Sequence, residues 1–385
     1  MTINLQKDLL CFSHLRSDFV FQRPQHLMTR FAEIAHVYFL EEPIFDCPGQ
    51  PFLQMEEKQE NLWICVPHLP RGSSPEATVT MIGEILESFF EKRDCGNFIF
   101  WYYTPMALPF SETFKPAMTV YDCMDELSGF KFAPEGIRQN ERQLLERADV
   151  VFTGGTSLYE AKKSSHNNIH PFPSSIDKAH FGTARGGQAE PQDQAAITGI
   201  KLGFYGVLDE RLDQELIRDI ATRRPDWHIV LIGPVVKIDP AELPQADNIH
   251  YMGPRSYQLL PAYLSGWDVA LIPFLLNEST RFISPTKTPE YLAAGKPVVS
   301  SPIRDVVYPY EEIGLFSIAN DADTFITAIE KELTHAADPH WMHAVDEFLS
   351  DKSWEHTFSA MVKLMMKVQK PERPVVPVTK LKNAS

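Results

Sequence analysis

No stretch of this sequence reaches the ~18 uninterrupted apolar residues that a membrane-spanning helix requires. The first residues, MTINLQKDLLCFSHLRSDF, hold only a short apolar run beside Asp8 and lack the charged-then-apolar pattern of a secretory leader, so no targeting segment is expected. Cysteine is scarce too. Cys11, Cys47, Cys65, Cys95 and Cys123 include no C-x-x-C pair, and an odd count in a large chain predicts free thiols in a reducing cytoplasm. Positive charge is in deficit: 36 Lys and Arg face 51 Asp and Glu, a formal net charge of -15. That balance argues against nucleic acid or an anionic membrane held by bulk electrostatics, since both are negative themselves. Any phosphate bound here must be met by a local basic pocket.

Apolar residues are plentiful, at 44% of 385 residues against 23% charged, which is the balance of a globular protein. Domain sizes of roughly 100 to 200 residues favour two domains with a cleft between them. Short apolar runs at 7–13 (KDLLCFS), 35–40 (AHVYFL), 97–101 (NFIFW), 118–121 (MTVY) and 149–153 (DVVFT) read as buried strands, because a parallel strand covered on both faces loses its polar alternation. Helical spacing occupies 25–35 and 77–93. Strands alternating with helices predict a doubly wound parallel sheet. Residues 181–199, FGTARGGQAEPQDQAAITG, are poor in apolar content and read as a linker. The pattern then restarts with runs at 201–205, 228–233, 249–252, 268–273 and 297–301, so a second Rossmann-like α/β domain is expected over 200–345, after a first over 1–180. The Pro-rich tail at 370–385 reads as disordered.

The segment that carries chemistry is 284–301, SPTKTPEYLAAGKPVVSS. Thr288 is placed to cap a helix whose first residue is Pro289 and which Gly295 closes, opening towards the C-terminal edge of a parallel sheet. The mouth of that helix and Lys287 form an anion site suited to a diphosphate, with Ser284, Pro285 and Thr286 as its lip. Glu290 can accept two hydrogen bonds from a vicinal diol such as ribose. Diphosphate and ribose together specify a nucleotide. In GFYGVLDERLD, at 203–213, Gly206 lets backbone approach a ligand and Arg211 supplies a second cation for the diphosphate.

These residues resemble a known family. The 284–301 run is similar to the donor-binding motif of GT-B glycosyltransferases, in which a glutamate precedes a small-residue helix ending in Gly-x-Pro-Val-Val. FQRPQHL at 21–27, YDCMDE at 121–126, the 152–181 stretch and MGPRSYQLLPAYL at 252–264 resemble other parts of that group. The resemblance implies two Rossmann-like doubly wound domains facing across a cleft, with a helix at 350–368 crossing back to complete the first domain; Trp354 would join the two. It implies a nucleoside-diphosphate-sugar donor on the second domain, a carbohydrate or lipid-linked acceptor on the first, neither cofactor nor metal, and retention at the anomeric carbon. Asp122 or Asp125, after the VYDCMDE strand, would be the general base or orient the acceptor hydroxyl, with Asp122 preferred. Arg23 and His26 would face the cleft, and Arg255 and Tyr257 would line the base pocket. One departure stands out: many retaining members carry a second glutamate eight positions before the ribose-binding one, and here that position is Phe282. Sugar contacts must then come from Asn277, Ser279 or backbone around Ser284.

The bland alternatives are definite. Glu290 and Lys287 could be ordinary residues of a helix start, Arg211 could pair with Asp209 or Asp213, Asp122 and Asp125 could cap a helix, His26 could be a packed helix residue, Arg23 could merely fix the approach to a helix, and Arg255 and Tyr257 could pack between domains. At the level of activity, the rivals of sugar transfer are a GT-B nucleotide-sugar epimerase and a non-catalytic sugar-nucleotide-binding protein. Bacterial surface polysaccharide or glycolipid assembly is the implied setting, in the cytoplasm with an acceptor at the inner membrane face.

Overall fold

The structure is a computed structural model and describes residues 7–335 and 338–368; the expected tail from 370 lies outside them. Two parallel sheets form its two layers. The first contains β1 (Asp8–Phe12), β2 (Val37–Leu40), β3 (Ile44–Cys47), β4 (Phe52–Gln59), β5 (Leu62–Pro70), β6 (Phe98–Tyr102), β7 (Met118–Cys123), β8 (Val150–Thr153) and β9 (Ile169–Pro171), in the order β3-β5-β2-β1-β6-β7-β8-β9 with β4 paired antiparallel to β5. The second contains β10 (Ile200–Tyr205), β11 (Trp227–Ile232), β12 (Ile249–Gly253), β13 (Val269–Ile272), β14 (Val298–Ser300) and β15 (Phe316–Ile318), in the order β12-β11-β10-β13-β14-β15.

The runs without polar alternation are strands covered on both faces. All residues of β6, β8 and β13 are buried. Core clusters lie on opposite faces of the first sheet, one holding Leu10, Phe12 and Phe100 and the other Leu9, Cys11 and Trp101, so neighbouring residues of β1 and β6 serve different layers. β7 extends two residues beyond the expected strand, so Asp122 lies inside it and not after it. The β4–β5 hairpin escaped the reading because β4, FLQMEEKQ, is an exposed edge strand whose residues are mostly polar.

The helix expected at 25–35 runs Arg23–Phe31: Pro24 fits its first turn, where no intrahelical N–H bond is lost. Residues 181–199 are not an extended linker. They fold into short helical turns, Thr183–Gly186 and Gln192–Ala195, and bury Phe181, Ala184 and Ile197 in the core of the second sheet. Gln194 supplies the reason: its amide is fully buried, donating to Tyr263 O (2.8 Å) and accepting from Trp267 Nε1 (2.9 Å), so polar residues here are held by hydrogen bonds.

The last described helix, Trp354–Lys367, returns to the first sheet. Ser353 caps it by accepting from His356 N (3.0 Å), and Trp354, Phe358, Met361, Val362 and Met365 join the cluster built by Leu27, Met28 and Phe31. The indole of Trp354 stacks on His26 with ring centroids 4.5 Å apart. Across the cleft, Ser157 N–H donates to Asp305 Oδ1 (2.9 Å), the Ser174 hydroxyl to Ser284 O (3.0 Å), and Lys131 N–H to Glu210 Oε1 (3.1 Å). A Cβ on Gly155 would lie 2.2 Å from Asp305 Oδ2, so only glycine allows this approach. Trp354→Ala removes a side chain 2% exposed and should cost about 3–5 kcal/mol; a urea denaturation midpoint within error of the parent's would show that the returning helix is not a brace.

Candidate functional site

A cavity of about 550 Å³ lies between the two sheets. Strand β10 ends at Tyr205, and the chain turns at Gly206 with φ +141, a conformation that L side chains rarely adopt. Opposite it, the helix Lys287–Ala293 follows a loop whose Ser284, Pro285 and Thr286 also line the cavity. This helix begins two residues before the expected Pro289. Thr288 is not its cap; the Thr288 hydroxyl donates to Pro285 O inside the first turn, where Pro289 costs no backbone bond. With seven residues the helix contributes little dipole, so the anion grip rests on the lysine and the adjoining backbone.

Lys287 projects towards Gly206: a Cβ there would sit 3.2 Å from both Cε and Nζ. The ammonium lies 5.1 Å from the Phe204 ring centroid and 5.2 Å from that of Phe274, and it has no ion pair among the described residues. Burial, with Arg211 adding to it, lowers its pKa to about 8. Three residues on, Glu290 lines the same cavity while only 6% exposed. Burial raises its pKa to about 8, against the opposing pull of the Tyr205 hydroxyl, which donates to Oε2, and of Lys287. Both groups are thus pushed towards neutrality by the protein around them.

Arg211 also lines the cavity, and the ion pair with Asp209 is real: Nε contacts Oδ1 at 2.9 Å and Nη2 contacts Oδ2 at 2.7 Å. The two readings coexist, since Asp209 fixes the guanidinium between the rings of Phe130 (5.4 Å) and Phe274 (5.8 Å) and leaves Nη1 without a protein hydrogen bond among the described residues.

The preferred base does not reach the cavity. Asp122 is 0% exposed inside β7, and its carboxylate is held by Arg23 through Nε at 3.0 Å and Nη2 at 2.7 Å. Arg23 has its remaining nitrogen on Phe172 O (2.6 Å), so all three of its nitrogens are engaged with the protein where it forms a wall of the cavity. A strand end buried against a guanidinium favours structure over acid–base work. Asp125, three residues later, does line the cavity and has no side-chain hydrogen bond among the described residues. Burial raises its pKa to about 6, with Arg211 and Arg23 pulling the other way.

His26 is a packing residue and does not line the cavity. Burial lowers its pKa to about 3, which keeps it neutral between Trp354 and Tyr257. Tyr257 lines the cavity, but its ring is stacked on His180 (4.3 Å) and lies against Phe21 (4.6 Å), so neither face is open to a base. Arg255 lines it too, tied to Asp193 (2.7 Å) and the Tyr263 hydroxyl (2.6 Å). Asn277 and Ser279 bond to each other in a closed turn and stay outside the cavity, whereas Ser284 is in its wall. Phe282 packs against the first domain's core, so an interdomain contact occupies the place of the absent glutamate. Lys58 and residues 17–20, which lie outside the quoted motifs, complete the first-domain wall with Phe21 and Gln22; the lysine sits on the unforeseen strand β4.

Two parallel-sheet domains with a cation, a carboxylate and a positive-φ glycine converging at their junction match a known architecture. Residues 201–335 match the family described as glycosyl transferases group 1. A Bacillus subtilis (strain 168) protein named as a teichuronic acid biosynthesis glycosyltransferase, TuaH, is 25% identical over 289 residues, 68% of this chain and 70% of that protein. This chain has the GT-B fold, with a region at 201–335 similar to the glycosyl transferases of group 1. Among solved structures, a Thermosynechococcus elongatus sucrose-phosphate synthase superposes with a TM-score of 0.67 at 16% identity, covering 94% of this chain and 99% of that one. Anabaena HepE in complex with UDP and glucose gives 0.62 at 13% identity, covering 94% and 100%. Among the described residues, no helix of this GT-B protein is long and apolar enough to cross a membrane.

The Glu290 shift has a consequence for stability. A carboxylate whose folded pKa of about 8 exceeds its ordinary 4.5 favours the folded state at low pH and loses that contribution as pH rises towards 8. Lys287, depressed to about 8, acts in the opposite sense and only above that pH. Glu290→Gln should therefore gain thermal stability relative to the parent between pH 5 and pH 7.5; a melting-temperature difference independent of pH over that range would refute the buried, raised carboxylate.

Proposed function

We propose that this GT-B protein transfers a sugar from a nucleoside-diphosphate sugar to an acceptor hydroxyl, in bacterial surface polysaccharide or glycolipid assembly. The observation that carries the reading is the convergence of Lys287, Gly206 and Glu290 in one interdomain cavity. In this reading the diphosphate lies against Gly206 and between Lys287 and Arg211, and Glu290 accepts from the ribose hydroxyls. As the glycosidic bond breaks, charge builds on the leaving diphosphate; two cations already held in a poorly solvated cleft stabilise that charge without reorganising. Diphosphate binding would also restore the full charge of Lys287, because an adjacent anion favours the ammonium.

Asp125 is the residue of the first domain for the acceptor. With a pKa near 6 it is ionised at neutral pH and able to take a proton from, or orient, the incoming hydroxyl. Closure of the interdomain contacts would exclude water and favour transfer over hydrolysis. The nucleotide sugar is a substrate, and the proposed step calls for no cofactor. Retention at the anomeric carbon is included on the family resemblance alone, and the anomeric proton coupling of the product reads it directly. The polysaccharide setting is supported by the name of the Bacillus relative, and an acceptor on a carbohydrate or lipid carrier at the cytoplasmic face of the membrane fits five free thiols.

A thermal-shift screen of nucleoside-diphosphate sugars should raise the melting temperature with one donor, since a ligand that binds only the folded state stabilises it. With that donor and an acceptor, nucleoside diphosphate should be released, and Glu290→Ala or Lys287→Ala should lose at least about 100-fold in kcat/KM, in keeping with loss of a charged contact. Turnover equal to the parent's in both variants would sink the site. Conversion of the donor with no acceptor present would mark an epimerase, and binding without turnover under any acceptor a non-catalytic protein.

A further inference from the structure

Strand β10 and the helix Lys287–Ala293 are joined by two tyrosines, one in the 203–213 segment and one in the 284–301 segment. The Tyr205 hydroxyl donates to Glu290 Oε2, and the Tyr205 backbone N–H donates to the Tyr291 hydroxyl (3.2 Å). Their rings meet edge to face at 5.1 Å, and Tyr205 is only 7% exposed. Glu290 Oε1 has no protein hydrogen bond among the described residues, and Glu290 is part of the cavity wall.

This division of the carboxylate has chemical consequences. Burial raises the Tyr205 phenol well above its ordinary 10, so its proton stays in place and the group remains a donor. A carboxylate that receives this bond is held in one rotamer, with one oxygen engaged and the other presented to the cavity. The same bond favours the ionised form of Glu290 against the desolvation that opposes it. Without the hydroxyl, the carboxylate would turn more freely and hold a proton more strongly, and a carboxylic acid is the poorer partner for a diol that must donate to it.

Resting on the reading of Glu290 as the ribose-binding group, we propose that Tyr205 is a positioning residue: it commits one oxygen of Glu290 to the protein and the other to the ribose, and so sets the preference of the site for ribonucleotides over 2′-deoxyribonucleotides. Tyr205 also lines the cavity, and the proposed effect on the nucleotide runs through its bond to Glu290. Discrimination of this kind is large when a buried charged acceptor is left unpaired by the wrong ligand.

The test is calorimetric titration of the full chain with UDP, GDP, ADP and CDP, followed by the 2′-deoxy counterpart of the tightest binder. The parent should prefer the ribonucleotide by at least about tenfold, the scale of one charge-assisted hydrogen bond. Tyr205→Phe keeps the ring and its packing, and its preference should fall to within about threefold. Tyr291→Phe, which leaves the Glu290 contact intact, should keep the parent's ratio. A parent with no preference would overturn the ribose assignment of Glu290 itself. A parent with the preference and a Tyr205→Phe variant that retains it would overturn the positioning role alone. Where Tyr205→Phe fails to fold, the double variant Tyr205→Phe/Glu290→Gln takes away the donor and the carboxylate charge together, which is better tolerated than leaving a buried carboxylate without its donor. Its ratio should equal that of Glu290→Gln; a lower ratio would show that Tyr205 acts other than through Glu290, and the inference would fall.

Discussion

The cleft depends on one electrostatic constraint: charge in a poorly solvated space must be paired or give up its charge. Arg23 is matched by Asp122, Arg211 by Asp209, and Arg255 by Asp193. Lys287 and Glu290 have no such ion pair among the described residues, and each is displaced towards its neutral form. Groups held in that state gain most from a ligand of opposite character, because binding supplies the interaction that burial withheld. The pairs around them orient, while Lys287, Glu290 and Asp125 carry no ion pair among the described residues.

The fold serves that constraint by bringing the cleft walls together from distant parts of the chain. The wall on the second domain comes from the ends of β10 and the 284–290 segment, while the first domain supplies the 17–23 loop, Asp125 and the edge hairpin. Interdomain hydrogen bonds at Asp305, Ser284 and Glu210, together with the helix that carries Trp354 back to His26, set how far apart those walls stand. Glycine at 155 and at 206 matters for the same reason, since at each a side chain would intrude on a contact across the cleft or on the lysine within it.

Phe282 shows how one position can change its work while the fold persists. In the resembled family a glutamate stands there; here a phenyl ring packs on the first domain's core. An apolar ring at a domain junction stabilises through area removed from water and cannot hydrogen-bond a sugar. Ser284 is in the cavity wall instead, and its carbonyl also accepts from Ser174.

Local pattern determined a good deal. Continuous apolar runs gave β2, β6, β8, β13 and β14, the strands buried at every residue, because burial on both sides removes alternation and leaves an unmistakable signature. Lys287, Glu290, Gly206 and the 284–286 lip were legible because they lie in short segments whose spacing is itself the geometry. Where the partner is remote in sequence, the pattern was silent. Nothing local says that Arg23 lies 99 positions from the carboxylate it neutralises, that Asp125 and not Asp122 faces the cavity, that Tyr205 holds Glu290, or that a polar edge strand brings Lys58 to the rim. Those facts depend on which way a side chain points once two sheets have met. The direction is set by packing energies summed over both domains, which no local window of sequence contains.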